Sequence, residues 1–166
     1  MNTKTIRRAS TEDIPLLTDI LNDALAFKLE LGDPAWGTQE WTLAGVGRWL
    51  NKSEMYLIEQ ENMAIATFSL AWEDEKYWGQ QEPTAGYLHR LAVRKEFHGI
   101  GAGDFALDWA MHQIRARHRQ ALRLDCDCRN TSLCAYYEAR GFVQVGVRPI
   151  PGAREYIASL YEKALA

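Results

Sequence analysis

The chain has 166 residues, enough to bury one real core and short enough for a single domain. Its 47% hydrophobic and 25% charged residues are the composition of a soluble globular protein, not of a disordered or fibrous one. A net charge of −3 provides no overall basic field for nucleic acid, and no apolar run approaches the roughly 20 residues of a membrane span.

The first segment, MNTKTIRRASTEDIP, lacks the apolar stretch of a signal peptide, so a cytoplasmic location is expected. A short strand is predicted over residues 5–9. Ser10 or Thr11 then caps a helix whose apolar stripe is Ile14, Leu17, Ile20, Leu21, Ala24 and Leu25. A turn at 32–37 precedes a second helix at about 39–51, carrying Trp41, Val46, Trp49 and Leu50. Residues 55–59 and 63–72 read as a hairpin around Gln60, Glu61 and Asn62. A polar, aromatic insertion leads to a strand at 87–93. A helical run at 104–118, a strand at 121–126, a helix at 131–139 and two strands, 142–148 and near 156–161, complete the chain. The order βααβββαβαββ predicts an α/β fold with a mixed sheet and helices on both faces. No repeat or linker divides residues 1–166, so a single domain is expected.

The stretch LAVRKEFHGIGAG, residues 91–103, places Gly99, Gly101 and Gly103 between an apolar strand and a helix. Such a segment offers unblocked backbone N–H groups where the helix dipole favours phosphate. A Walker A loop would need Lys and Ser/Thr after its second glycine, where Ala102 and Gly103 stand. A dinucleotide fingerprint would need a third glycine where Asp104 stands. A second motif follows at a distance: Asn130, then Tyr137-Glu138-Ala139-Arg140-Gly141-Phe142 around a short helix.

His98-Gly99-Ile100-Gly101-Ala102-Gly103 resembles the Gln/Arg-x-x-Gly-x-Gly/Ala loop of the GNAT superfamily of N-acetyltransferases, with His98 in place of Gln or Arg. Asn130 to Phe142 is similar to the second half of the same core, in the family's order and spacing. The resemblance covers about residues 85–145. It implies the GNAT fold, a mixed sheet of six to seven strands flanked by helices, and acetyl-CoA as cosubstrate with no metal. It places pyrophosphate on the amides of residues 98–103 and the cofactor arm along Leu91, Ala92 and Val93. The N–H of Val93 would polarise the acetyl carbonyl where the strands at 88–93 and 121–126 splay. Tyr137 takes the family's general-acid position, and Asn130 resembles the residue that fixes the cofactor arm or starts the helix.

The base stays open. Period two puts Tyr87, His89, Leu91 and Val93 on one strand face, where His89 is the group able to take a proton near neutral pH; Tyr87 replaces the Glu of some relatives. Glu73, Asp74 and Glu82 are alternatives acting through water. Arg115, Arg117, His118, Arg119 and Arg123 read as a solvated helix end or as a contact for the 3′-phosphate of CoA. Cys126, Cys128 and Cys134 lack zinc-ligand spacing and read as buried structural residues, although Cys-x-Cys would share a strand face. Trp36, Trp41, Trp72, Trp78 and Tyr87 either pack the helical layer or line a cleft for a flat amine. The expected acceptor is a small-molecule or protein amine, with no nucleic acid or membrane partner and a homodimer through residues 153–161. A catalytically silent acetyl-CoA-binding module and a nucleotide-binding module are the other readings.

Overall fold

The chain is described by a computed structural model covering residues 3–153 and 155–165. Met1 and Asn2, which open the segment read for a leader, and Arg154, inside the stretch read for dimer contacts, lie outside the described residues. Among the described residues seven strands form a sheet in the order β1-β2-β3-β4-β5-β7-β6. They are β1 (Lys4–Arg8), β2 (Glu54–Gln60), β3 (Met63–Ala71), β4 (Ala85–Val93), β5 (Ala121–Asp127), β6 (Val143–Pro149) and β7 (Ile157–Ala164). The helices are α1 (Ile14–Glu30), α2 (Leu43–Leu50), α3 (Glu75–Trp78), α4 (Ala102–Ala116) and α5 (Thr131–Glu138). The expected mixed α/β sheet is present. Among the described residues, α3, a single turn within the polar insertion, is a helix the sequence did not predict, as are 3-10 turns at Thr11–Asp13 and Lys95–Phe97. No helix among the described residues is long and apolar enough to cross a membrane.

The chain forms two compact units, one of Met1–Leu70 with Arg90–Trp109, the other of Ala71–His89 with Ala110–Ala166. In the first, β1 and β3 pair antiparallel with β2. The β2–β3 turn has both central residues left-handed, Glu61 at φ 53° and Asn62 at φ 64°, the geometry that matches strand twist in a two-residue hairpin. Alternation along β2 sends Met55 and Leu57 to one face, into a core with Leu17, Ile20, Leu21 and Ala24 of α1 and Val46 of α2. Tyr56 takes the other face, 5.4 Å from Phe68 and 4.5 Å from Trp109 of α4. Helices thus cover both faces, as the sequence predicts.

The corner from β1 into α1 is set by charge. Arg7 donates two 2.8 Å hydrogen bonds to Asp13, and the Ser10 backbone N–H donates to the same carboxylate. The Arg7 bonds hold Asp13 down to about 2, below the ordinary carboxylate value. α2 starts at Leu43, four residues later than the sequence suggests. Asn22 clamps the Trp41 backbone by its N–H and C=O, and Thr42 Oγ1 accepts from Gly45 N as the true cap. Trp41 therefore lies outside the helix, yet it stacks on Trp49 at 5.7 Å and packs against the same core.

In the second unit β4 and β5 run parallel, in register from Ala85↔Ala121 to Tyr87↔Arg123, where the ladder stops although both strands continue. β5 pairs antiparallel with β7, and β7 with β6. Trp78, Ala85, Tyr87, Ala121, Ile150, Ala158 and Leu160 form the core. Gly86 is demanded by close approach, because a Cβ there would stand 2.5 Å from Ile114 of α4.

Candidate functional site

The glycine loop leaves β4 through two anchored residues. Arg94 donates to Ala64 O at 3.0 Å and pairs with Asp19 of α1. The Lys95 N–H donates to Asp23 at 2.7 Å, and its ammonium pairs with Glu30. Three carboxylates along α1 thus fix where the loop begins. Gly99 and Gly101 both take φ +81°, a conformation costly to any residue with a Cβ. No atom lies within 4 Å of where their Cβ atoms would stand, so the loop backbone faces open space. Gly103 falls within the first turn of α4, which starts at Ala102, two residues before the sequence reading placed the helix start. The loop leads into a fifteen-residue helix with buried Ala102 at its head, a place where the helix dipole favours an anion.

His98 does not present its ring as a phosphate ligand. Its Nε2–H donates to Val93 O at 3.1 Å, and the ring meets Phe27 edge-on at 4.6 Å. The side chain braces the loop against the end of β4. Leu91 and Val93 are half-buried and Ala92 is buried. The period-two expectation for β4 fails in its middle: Arg90 is left-handed at φ 50°, so the alternation that carries Tyr87 and His89 does not run on to Leu91 and Val93. The Arg90 guanidinium lies over Trp41 and Trp49, which supports the unusual backbone.

Asn130 caps α5, its Oδ1 accepting from Leu133 N at 3.0 Å, and Gly141 at φ 83° ends that helix segment. Tyr137, on the buried side of α5, is 6% exposed and ringed by Tyr136, Phe142 and Tyr161. Burial, then the neighbouring Cys126, pushes its phenol well above the ordinary value near 10. At neutral pH it holds its proton, as a proton donor must. Cys126 Sγ is 3.6 Å from Cys134 Sγ, and burial pushes the Cys126 thiol up. Cys128 falls just past the end of β5, so the expected shared strand face does not form.

His89 sits between two carboxylates. Its Nε2 is 3.0 Å from Asp74 Oδ2, and its Nδ1 is 3.6 Å from Asp125 Oδ1. Tyr156 OH donates to Asp125 Oδ2 at 2.6 Å. Burial and Asp125 push that phenol up, so the donor stays protonated. Asp74 gets there as the cap of α3, its Oδ1 accepting from Tyr77 N. The sequence reading named His89 and Asp74 but missed Asp125 and Tyr156. His89 and Asp125 have the same offset as Ala85↔Ala121, so a parallel pairing of the two strands was the signal available. Glu73 and Glu82 are exposed, and of the three alternative bases only Asp74 contacts His89.

The basic cluster is a set of intramolecular ties. Arg119 donates to the Trp72 and Ala85 carbonyls at 2.6 Å each, and Arg117 stacks on Trp72 at 4.0 Å. Arg123 pairs with Glu162 and donates to Tyr87 OH. The expectation of a solvated helix end is corrected at Arg119 and Arg123, because backbone carbonyls and a strand carboxylate claim them. Trp78 and Tyr87 are buried in the core, and Trp36 packs against the first core, so these aromatics serve packing.

The sequence model described as the acetyltransferase (GNAT) family matches residues 17–142. The uncharacterized N-acetyltransferase YesJ of Bacillus subtilis (strain 168) is 35% identical over 103 residues, 58% of this chain. The match spans 57% of that relative, little more than half its length. Among solved structures, yncA of Salmonella typhimurium, bearing its cofactor acetyl-CoA, superposes with a TM-score of 0.70 at 17% identity, covering 99% of this chain and 95% of that one. The ribosomal-protein-alanine N-acetyltransferase of Brucella melitensis gives 0.73 at 21% identity, covering 97% and 99%.

Proposed function

The chain belongs to the GNAT family of acetyltransferases and is an acyltransferase, and from that premise we propose that it moves an acetyl group from acetyl-CoA to a primary amine by direct attack. One observation supports the reading: Gly99 and Gly101, both at φ +81° with open space at their Cβ positions, lead the loop into the head of α4. That loop fits a pyrophosphate, which no side chain would obstruct. Bound acetyl-CoA would supply the acetyl thioester.

The chain's own groups do the rest. The amides of Gly99, Ile100, Gly101, Ala102 and Gly103 hold phosphate oxygens, while the His98 N–H, also expected there, donates to Lys95 O at 3.3 Å. Leu91, Ala92 and Val93 supply strand groups for the cofactor arm, and the Val93 N–H polarises a carbonyl. Asn130 organises the start of α5 and contacts the arm. Tyr137 gives its proton to a leaving thiolate. His89 takes the proton of the attacking amine. The whole chain acts as one acetyltransferase domain. The acceptor is a small-molecule amine or a protein N-terminus or Lys. The three free thiols support a reducing, cytoplasmic setting. A homodimer through β6 and β7 is supported by the exposed row Val143, Val145 and Val147 on the edge strand.

Calorimetric titration with acetyl-CoA, CoA, ATP and NAD tests this. Micromolar binding of acetyl-CoA, without ATP or NAD binding, followed by thiol release with an amine panel, is the expected result. Preference for ATP or NAD would end the transferase reading, and tight acetyl-CoA binding with no turnover would make the chain a silent module.

A further inference from the structure

We propose that Cys126 and Cys134 form a modification site, at which a peroxide closes a reversible disulfide between β5 and α5. Cys126 Sγ stands 3.6 Å from Cys134 Sγ, and both thiols are free. The sulfurs must approach by about 1.6 Å to bond. The two residues differ as a sensing pair must. Cys134 is half-buried and meets solvent, while Cys126 is 3% exposed and lies behind it. Burial also pushes the Cys126 thiol up, so it keeps its proton while Cys134 reacts first. Transient disulfides of this kind are those that a reducing compartment allows.

The reaction takes two steps. The Cys134 thiolate attacks one oxygen of hydrogen peroxide, the O–O bond breaks, and the departing hydroxide takes up the thiol proton as water. Cys134 is then a sulfenic acid. The Cys126 sulfur attacks it, and the S–S bond forms as the S–O bond breaks. The leaving hydroxide carries the Cys126 proton away as a second water. Two thiols are oxidised and one peroxide is reduced. A small thiol reverses the change by exchange.

The disulfide reaches the chemistry through α5. β5 is held by β7, with Cys126 opposite Ser159, whereas α5 is only eight residues long. The helix is therefore the element that gives. Tyr137 lies one turn beyond Cys134 on α5, so the two side chains are neighbours along the helix. Tyr137 also feels Cys126, and its ring is 6.1 Å from Tyr161, which Cys134 reaches too. All four residues belong to the second compact unit. Drawing Cys134 onto β5 displaces Tyr137. This consequence rests on the acetyltransferase reading, in which Tyr137 is the proton donor; the disulfide itself does not.

The test treats reduced protein with hydrogen peroxide and then alkylates it with N-ethylmaleimide in denaturant. Alkylated thiols should fall from three to one, with the chain lighter by two hydrogens, and peptide mapping should find Cys126 joined to Cys134. Cys128→Ser should form the same crosslink, and Cys134→Ser should form none. The wild-type map does not depend on either variant folding. Turnover of the oxidised wild type should fall at least about tenfold, as expected for a displaced reacting group, and return with dithiothreitol. Cys134→Ser should keep its turnover through the same treatment. Three alkylatable thiols after peroxide, a crosslink through Cys128, or Cys134 driven to sulfinic acid beside a free Cys126 would overturn the site. A Cys126–Cys134 crosslink with full turnover would overturn its control of Tyr137. Absence of turnover in the reduced protein would count against the transferase reading alone, since the mapped disulfide would still stand.

Discussion

The glycine loop and the Asp74–His89–Asp125 cluster are built on opposite principles. The loop is a main-chain feature, and its shape follows from two left-handed glycines and the helix they enter. The cluster draws one side chain each from the head of α3, from β4 and from β5, and Tyr156 adds a fourth from the turn before β7. A backbone site is local and tolerates most side-chain changes that respect φ. A side-chain site is non-local and depends on strand register and a helix cap. Damage to the first should therefore be abrupt and confined to phosphate binding, whereas damage to the second should be graded.

The largest effect is expected at the loop. Gly101→Glu should abolish acetyl-CoA binding in calorimetry, a loss of more than about 100-fold, because a carboxylate would occupy the space the amides face. Gly101→Ala should cost less, about 1–2 kcal/mol of backbone strain at φ +81°, read as a lowered melting temperature. If both variants bound acetyl-CoA normally, the backbone half of the contrast would collapse. Next comes Tyr137→Phe, which should lower turnover roughly 100-fold with KM for acetyl-CoA nearly unchanged. Equal turnover would remove Tyr137 from the chemistry and leave it as a packing residue against Phe142 and Tyr161.

Arg119→Met sharpens the contrast from the structural side. It strands the Trp72 and Ala85 carbonyls, so stability should fall by about 2–3 kcal/mol in denaturant unfolding while acetyl-CoA affinity holds. A selective loss of CoA affinity would instead restore the 3′-phosphate reading of the basic cluster. The smallest effect is at Asn130. Alanine should cost about 1 kcal/mol of stability and aspartate almost nothing, since both Asn and Asp cap. A raised KM in Asn130→Asp at full stability would give Asn130 a ligand role beyond the cap.

The two regions also mark how far the sequence could be read. The glycine loop, the Asn130–Phe142 motif, the α1 stripe and the two-residue hairpin all appeared where the residues placed them. Each is governed by contacts within a few positions. The late start of α2 was hidden because its cause, Asn22 gripping Trp41, comes from another helix. The kink at Arg90 was hidden likewise, since a left-handed Arg within a strand is tolerable only where Trp41 and Trp49 receive its side chain. His98 stands in place of Gln or Arg at the motif's first position, and only Phe27 and Val93 O decided that its ring braces the loop.

By itself the sequence determined the order of the main elements, the mixed sheet and the glycine loop, because periodicity, caps and glycine conformations act over a turn or a strand. Only the tertiary structure decided that Asp125 and Tyr156 join His89, and that Arg119 and Arg123 are tied to carbonyls and to Glu162. Those partners are separated along the chain by as many as 47 positions, from Trp72 to Arg119, and only strand pairing and helix packing bring them within hydrogen-bond or ion-pair range.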